Sequence, residues 1–328
     1  MAPHQYWQVA AGNVSAGRDY AYLFLKHGLA FVGGEPQVSV ASDVCRDDVI
    51  LLKDGMHKIL AAGRVVERDG RVGGRDDKEW LRDIEGWDLR AYLFVEWRYA
   101  PSPITTSGLT RATISRTNIP EHHAIAERLL KCPIFPIEPE PGRPNILAYG
   151  DIIADLRERN PSIETELGLE LFEKLRRTYD DDFELAMKWS AGETRDELVR
   201  PLLHALGWSE KHLRDDAVGA GLSHVLCCFP KERRNSNVDV KVVECRPFYH
   251  GVDLSPEQSH RIGKVFTGAR ALAVTNGIAL KLYSRPEHGP FKTEPSAYVN
   301  LAKPAERCPF DPTIHGALTA LRFLAKPA

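Results

Sequence analysis

Several common signals are missing from the 328-residue chain, and each absence excludes a class of protein. No apolar run approaches the ~18–20 residues that a membrane-crossing helix needs. The opening stretch MAPHQYWQVAAG lacks a charged segment followed by an apolar one, so no export signal is expected and the chain is read as cytoplasmic. The six cysteines, Cys45, Cys132, Cys227, Cys228, Cys245 and Cys308, form no C-x-x-C pair, which removes zinc spacing and leaves buried thiols of a reducing compartment. There is no G-x-x-x-x-G-K-[ST] phosphate loop, so no internal ATP-driven translocation is expected. A net charge of -2 gives no overall basic excess, which excludes a histone-like coat but leaves room for a local basic groove. What remains is a globular composition, 43% hydrophobic and 27% charged, on a chain long enough for two domains and a connector.

Residues 1–117 read as a small β-rich domain. DYAYLFLKHGLAFVGG predicts a short helix, a turn at Gly28 and a strand ending at Gly33-Gly34. DDVILLKDG and HKILAAGRVVERDG are strands closed by Asp54-Gly55 and Asp69-Gly70, and RAYLFVEWRY is another. Short strands at this density suggest a small barrel. Residues 118–150 hold the proline-rich CPIFPIEPEPGRP, read as an extended connector. Residues 151–328 begin with helices, among them ETRDELVRPLLHALGW, where Thr194 and Glu197 suggest a capping box and Gly207 a stop. From residue 221 the order becomes strand (GLSHVLCCF), strand (VDVKVVECRPF), helix capped by Ser255, two strands around Asn276-Gly277, and a last helix IHGALTALRFL. The fold class expected is α+β.

The strand VKVVECRPF ends in Glu-x-Arg. Residues two apart on a strand share a face, so Glu244 and Arg246 point together while Asp239 points away. Magnesium-dependent phosphodiester cleavage needs carboxylate oxygens and a group that steadies phosphate charge. From Glu193 to about residue 324 the chain resembles the PD-(D/E)XK nuclease domain at the N-terminus of type I restriction-enzyme motor subunits. The matching pieces are ETRDELVRPLLHALGW, VVECR, the helix near Gln258 and ALAVTNGIALKLY. The resemblance implies an α/β restriction-endonuclease-like core, with Glu193 and Glu244 as Mg²⁺ ligands, Arg246 in place of the usual lysine, and Gln258 on the following helix. Two departures stand out. The family's first-strand aspartate is replaced by Ser223 or His224, for which Asp239, Asp215 or Asp216 would have to compensate, and Ile262 stands where an aromatic is expected. Arginine stays charged and cannot act as a base, but it clamps a phosphate in a bidentate way.

The N-terminal stretches WQVAAGNVSAGRDYAYLFLKHGLAFVGG, DDVILLKDGMHKILAAGRVVERDG and IEGWDLRAYLFVEW are similar to EVE-like domains of the PUA-like superfamily. That resemblance implies a small barrel that reads a modified or flipped base in a pocket. A base pocket needs a flat wall for stacking, polar groups for the base edge and basic residues for flanking phosphates. The pocket-wall candidates are Trp7, Tyr20, Trp80 and Trp87. Asp19 opens the helix beside Tyr20, and Arg111 and Arg116 supply positive charge. Any one tryptophan can equally be a core residue of the barrel.

Together these readings lead to a modification-dependent restriction-type endonuclease as the expected function, with DNA as partner, Mg²⁺ as cofactor and a homodimer favoured for cutting both strands. A nucleic-acid-binding sensor with an inactive nuclease-like domain is the alternative from a different class. PUA-like barrels also read RNA, so an RNA-binding protein is the third.

Overall fold

A computed structural model describes residues 4–12, 17–216, 224–229, 240–287 and 289–327. Ser223 and Asp239 lie outside the described residues, as does the Asp216 side chain. The chain divides into two compact units, Met1–Pro141 and Gly142–Ala328, each a mixture of helices and one sheet. Among the described residues no helix is long and apolar enough to cross a membrane.

The first unit is built on a seven-stranded sheet. Its strands are β1 (Tyr6–Ala10), β2 (Leu29–Val32), β3 (Val49–Asp54), β4 (Lys58–Val65), β5 (Gly73–Arg75), β6 (Ala91–Thr105) and β7 (Ile114–Arg116). They lie in the order β2-β6-β4-β3-β1-β7, with β5 also on β6, and β1 runs parallel to β3. Strand β6 makes the sheet curl into a half-barrel. Its first residues pair with β2 and β5, and from Val95 onward it pairs with β4 instead. A strand shared in this way must twist between two neighbours. Helix α1 (Ala21–His27) ends at Gly28 in the left-handed conformation, as the turn reading expected. Helix α2 (Glu35–Ala41) was not foreseen. Nor was α3 (Pro120–Leu129), which falls in the stretch read as connector and buries Ile125, Ala126 and Leu129 against Val49, Leu51 and Ala62.

The second unit has a six-stranded sheet in the order β13-β12-β11-β10-β9-β8. These are β8 (Leu213–Asp216), β9 (His224–Cys228), β10 (Lys241–Cys245), β11 (Ala271–Thr275), β12 (Ala279–Ser284) and β13 (Ala297–Asn300). Only β10 and β11 are parallel, and α9 (Pro256–Val265) is the crossover between them. Val243 and Cys245 face a core shared with α4 (Tyr149–Arg159), α5 (Thr165–Asp180), the short α6 (Phe183–Ala186) and α10 (Ala317–Leu324). The alternation of a strand therefore sends Glu244 to the opposite face.

One long helical segment carries the expected nuclease acid. It runs through α7 (Ala191–Thr194), a π-helical turn at Arg195–Val199 and α8 (Arg200–Ala205). Pro201 explains the π turn, because its missing N–H leaves the Glu197 carbonyl without a helical donor. The Lys174 ammonium donates to that oxygen instead, at 2.8 Å. The capping box is one turn earlier than the sequence reading placed it. Ser190 and Glu193 form it, and Glu197 pairs with Lys174.

Two consequences can be measured. Gly277 turns the β11–β12 hairpin at φ +93°, and a Cβ there would lie 2.5 Å from Leu198 Cδ1 and 3.0 Å from Thr194 Cγ2. Gly277→Ala should lower stability by about 2 kcal/mol in urea unfolding, from strain and overpacking together. Lys241 closes the end of α10 by donating to the carbonyls of Phe323 and Ala325. Burial pulls its pKa from 10.5 to about 8. Between those values the unfolded chain holds the extra proton, so this lysine favours folding more as pH rises. The stability of wild type relative to Lys241→Met should therefore increase from pH 8 to pH 10; a flat difference would contradict the assignment.

Candidate functional site

The first unit contains a cavity of about 1040 Å³. Tyr20 and Trp87 line it, with Phe24 and Phe31 from α1 and β2. Arg111 lies on its rim. Three further cations that sequence reasoning missed also line it, Arg18, Lys53 and Lys58. The Arg18 guanidinium sits 4.5 Å from the centre of the Trp87 ring and donates to the Tyr20 hydroxyl at 3.0 Å. This stack fixes a flat aromatic face with a charged plane on it. Lys53 is 2% exposed and donates to the Thr110 carbonyl at 2.7 Å, while the Gln8 amide oxygen accepts from the Thr110 N–H at 3.0 Å. Thr110 is thus held from both sides, next to Arg111.

The other candidates for the base pocket have structural work. Trp7 is a core residue whose indole N–H donates to Asp48 Oδ2 at 2.9 Å, and Arg116 packs over its ring at 4.8 Å. Trp80 is buried with its N–H donated to Glu140 at 3.1 Å. Asp19 accepts from the Ala21 N–H at 3.0 Å and so starts α1. None of these four lines the cavity. A buried indole needs an acceptor for its N–H, and in both cases a carboxylate supplies it.

In the second unit, three of the four proposed nuclease residues come together. Arg246 is the hub. Its Nε donates to Glu244 Oε1 at 3.3 Å, Nη1 to the carbonyls of Gly251 and Asp253 at 2.8 and 2.7 Å, and Nη2 to Gln258 Oε1 at 3.3 Å. Glu244 is 1% exposed, and its buried Oε2 has no hydrogen-bond partner among the described residues. Gln258 forms a capping box with Ser255, which makes it a structural residue of α9 as well. Asp253 is held a second time, by Lys281 at 2.5 Å. A lysine in the apolar strand ALKLYS was the signal for that pair. Glu193 stands apart. Its Oε2 accepts from the Ser190 N–H and hydroxyl, both at 2.8 Å, and these bonds lower its pKa.

Of the two residues that the nuclease resemblance sets in place of a first-strand aspartate, His224 is described, and its Nδ1 lies 3.4 Å from Arg195 Nη1. Asp215, a candidate to compensate, is held by Arg195 at 3.2 Å and Arg200 at 2.5 Å. Among the described residues no three acidic, histidine or cysteine side chains gather around a metal position. The described donors therefore do not fit Mg²⁺, which wants several oxygen ligands. Glu244 offers one oxygen, Glu193 Oε2 is taken by Ser190, and Asp215 is held by two arginines.

Comparisons of the chain with protein-family models, with curated proteins and with solved structures each return no match. The geometry must carry the functional reading by itself.

The buried pair makes a sharp test. Arg246→Met leaves Glu244 charged and unpaired, and should cost about 3–5 kcal/mol in denaturant unfolding. Glu244→Gln combined with Arg246→Met should recover part of that loss, because no lone charge remains. A single-variant loss below 1 kcal/mol would contradict the hub role.

Proposed function

We propose that the protein binds nucleic acid and captures a modified base in the cavity of its first unit, an EVE-type barrel of the PUA-like superfamily. The second unit is a restriction-endonuclease-like core that serves as a binding platform. The observation that supports this reading most is the cavity itself. It joins a flat Trp87–Arg18 stack, a second aromatic at Tyr20 and cations at Arg111 and Lys58. Base–aromatic stacking supplies about 1–3 kcal/mol per base, and the cations match the phosphates that flank it.

The partly filled site around Glu244 supports the platform over the cutting enzyme. Arg246 spends its donors inside the fold, so it is not free to clamp a phosphate. A second reading, a modification-dependent Mg²⁺ endonuclease acting on DNA, has one observation in its favour. A buried carboxylate oxygen without a partner, Glu244 Oε2, is a natural seat for a cation.

The two readings separate in one experiment. Purified protein is incubated with unmodified, methylated, hydroxymethylated and glucosylated DNA, with Mg²⁺ or Mn²⁺, and both binding and cutting are read. The expected outcome is tight binding to one modified DNA without cutting, and a loss of about tenfold or more in affinity for Trp87→Ala. Cutting by wild type that disappears in Glu244→Ala would establish the enzyme instead. RNA competing as well as DNA at matched salt would move the reading to an RNA-binding barrel.

A further inference from the structure

The cavity of the first unit has its cations in two tiers. Lys58 and Arg111 are exposed, while Arg18 and Lys53 are buried. The one carboxylate on the lining, Asp54, lies 3.7 Å from Lys58 and belongs to the outer tier. Outer cations face water and suit the solvated phosphates of a strand. Inner cations are beyond the reach of a phosphate that keeps its hydration, so they face whatever enters the cavity.

Lys53 is the informative member. A lysine this deep is almost always matched by a carboxylate or by several acceptors. Among the described residues it has one partner, a neutral carbonyl, that of Thr110. Burial lowers its pKa, and among the described residues no carboxylate forms an ion pair with it. An ammonium has three donors, so two remain for a ligand. The nearby Gln8 is likewise buried, and its amide nitrogen has no partner among the described residues.

We infer that Lys53 is a specificity-determining residue, and that the base it selects carries an acidic substituent whose carboxylate supplies the missing counter-charge. This inference rests on base capture by the cavity. The aromatic walls hold the ring by stacking, and Lys53 then reads the charge on the ring's substituent. A neutral substituent of the same shape leaves the ammonium as poorly matched as in the empty protein, so it gains much less from binding. Charge-assisted hydrogen bonds are the stronger kind, and here one forms away from water.

The test uses the full chain and fluorescence anisotropy with DNA duplexes that differ at one base. The probes carry cytosine, 5-hydroxymethylcytosine, 5-carboxylcytosine or the carboxamide of the same size as the carboxyl. Wild type should bind the carboxyl duplex roughly tenfold or more tightly than the carboxamide duplex. That ratio needs no variant. In Lys53→Met it should fall to near one while binding to the carboxamide duplex persists, with a thermal melt confirming the fold. A wild-type preference for a neutral substituent that is lost in Trp87→Ala would keep base capture and overturn the role of Lys53. So would a carboxyl preference unchanged in Lys53→Met. Equal affinity for all four duplexes, unchanged in Trp87→Ala, would overturn base capture and this inference with it.

Discussion

Burying a charge is expensive unless it finds a partner, and both candidate sites turn on how that cost is met. In the second unit the chain meets it internally. Arg246 enters the interior beside Glu244 and collects two backbone carbonyls and a glutamine oxygen from the segment 251–258. That segment leads into α9, the crossover on which the parallel pairing of β10 and β11 depends. Arg246, at the position where the nuclease resemblance would set a lysine, is thus a structural bracket, with five donors where a lysine has three.

In the first unit one buried charge is less well matched. Arg18 is stacked on Trp87 and bonded to Tyr20, but among the described residues Lys53 has a single neutral acceptor. A buried cation with one neutral partner on the lining of an aromatic cavity is a standing cost in the free protein and a source of selectivity when a ligand arrives. The same physics therefore points in opposite directions. The bonds that Arg246 makes within the second unit argue for architecture, and the thinly matched Lys53 of the first argues for binding.

Much of this architecture was legible in the sequence. Apolar strands closed by Asp-Gly turns, and the helix stops at Gly28 and Gly207, appear where their local chemistry placed them. Helix α3 was hidden by the prolines that follow it, and it exists because its apolar side packs on β3 and β4. The capping box was misplaced by one turn because Ser190-x-x-Glu193 and Thr194-x-x-Glu197 carry the same pattern. Pro201 and the π turn decided between them only in three dimensions. For the site, the sequence could not tell a stacking tryptophan from a core one. Trp7, Trp80 and Trp87 differ only in what their indole meets, and the carboxylates of Asp48 and Glu140 are remote in sequence from the rings they satisfy. Lys53 did leave a trace. In VILLKD it belongs to a run that is buried from Val49 through Lys53, and a lysine there asks for a partner.

The central claim is that a base of the bound nucleic acid enters the cavity of the first unit. Photo-crosslinking tests it most directly. DNA carrying 5-iodocytosine is bound to the full chain and irradiated, and the adduct is located by mass spectrometry. The account predicts adducts on Tyr20 or Trp87, the two aromatic residues of the cavity named from the sequence. Efficient crosslinking confined to residues of the second unit would contradict it.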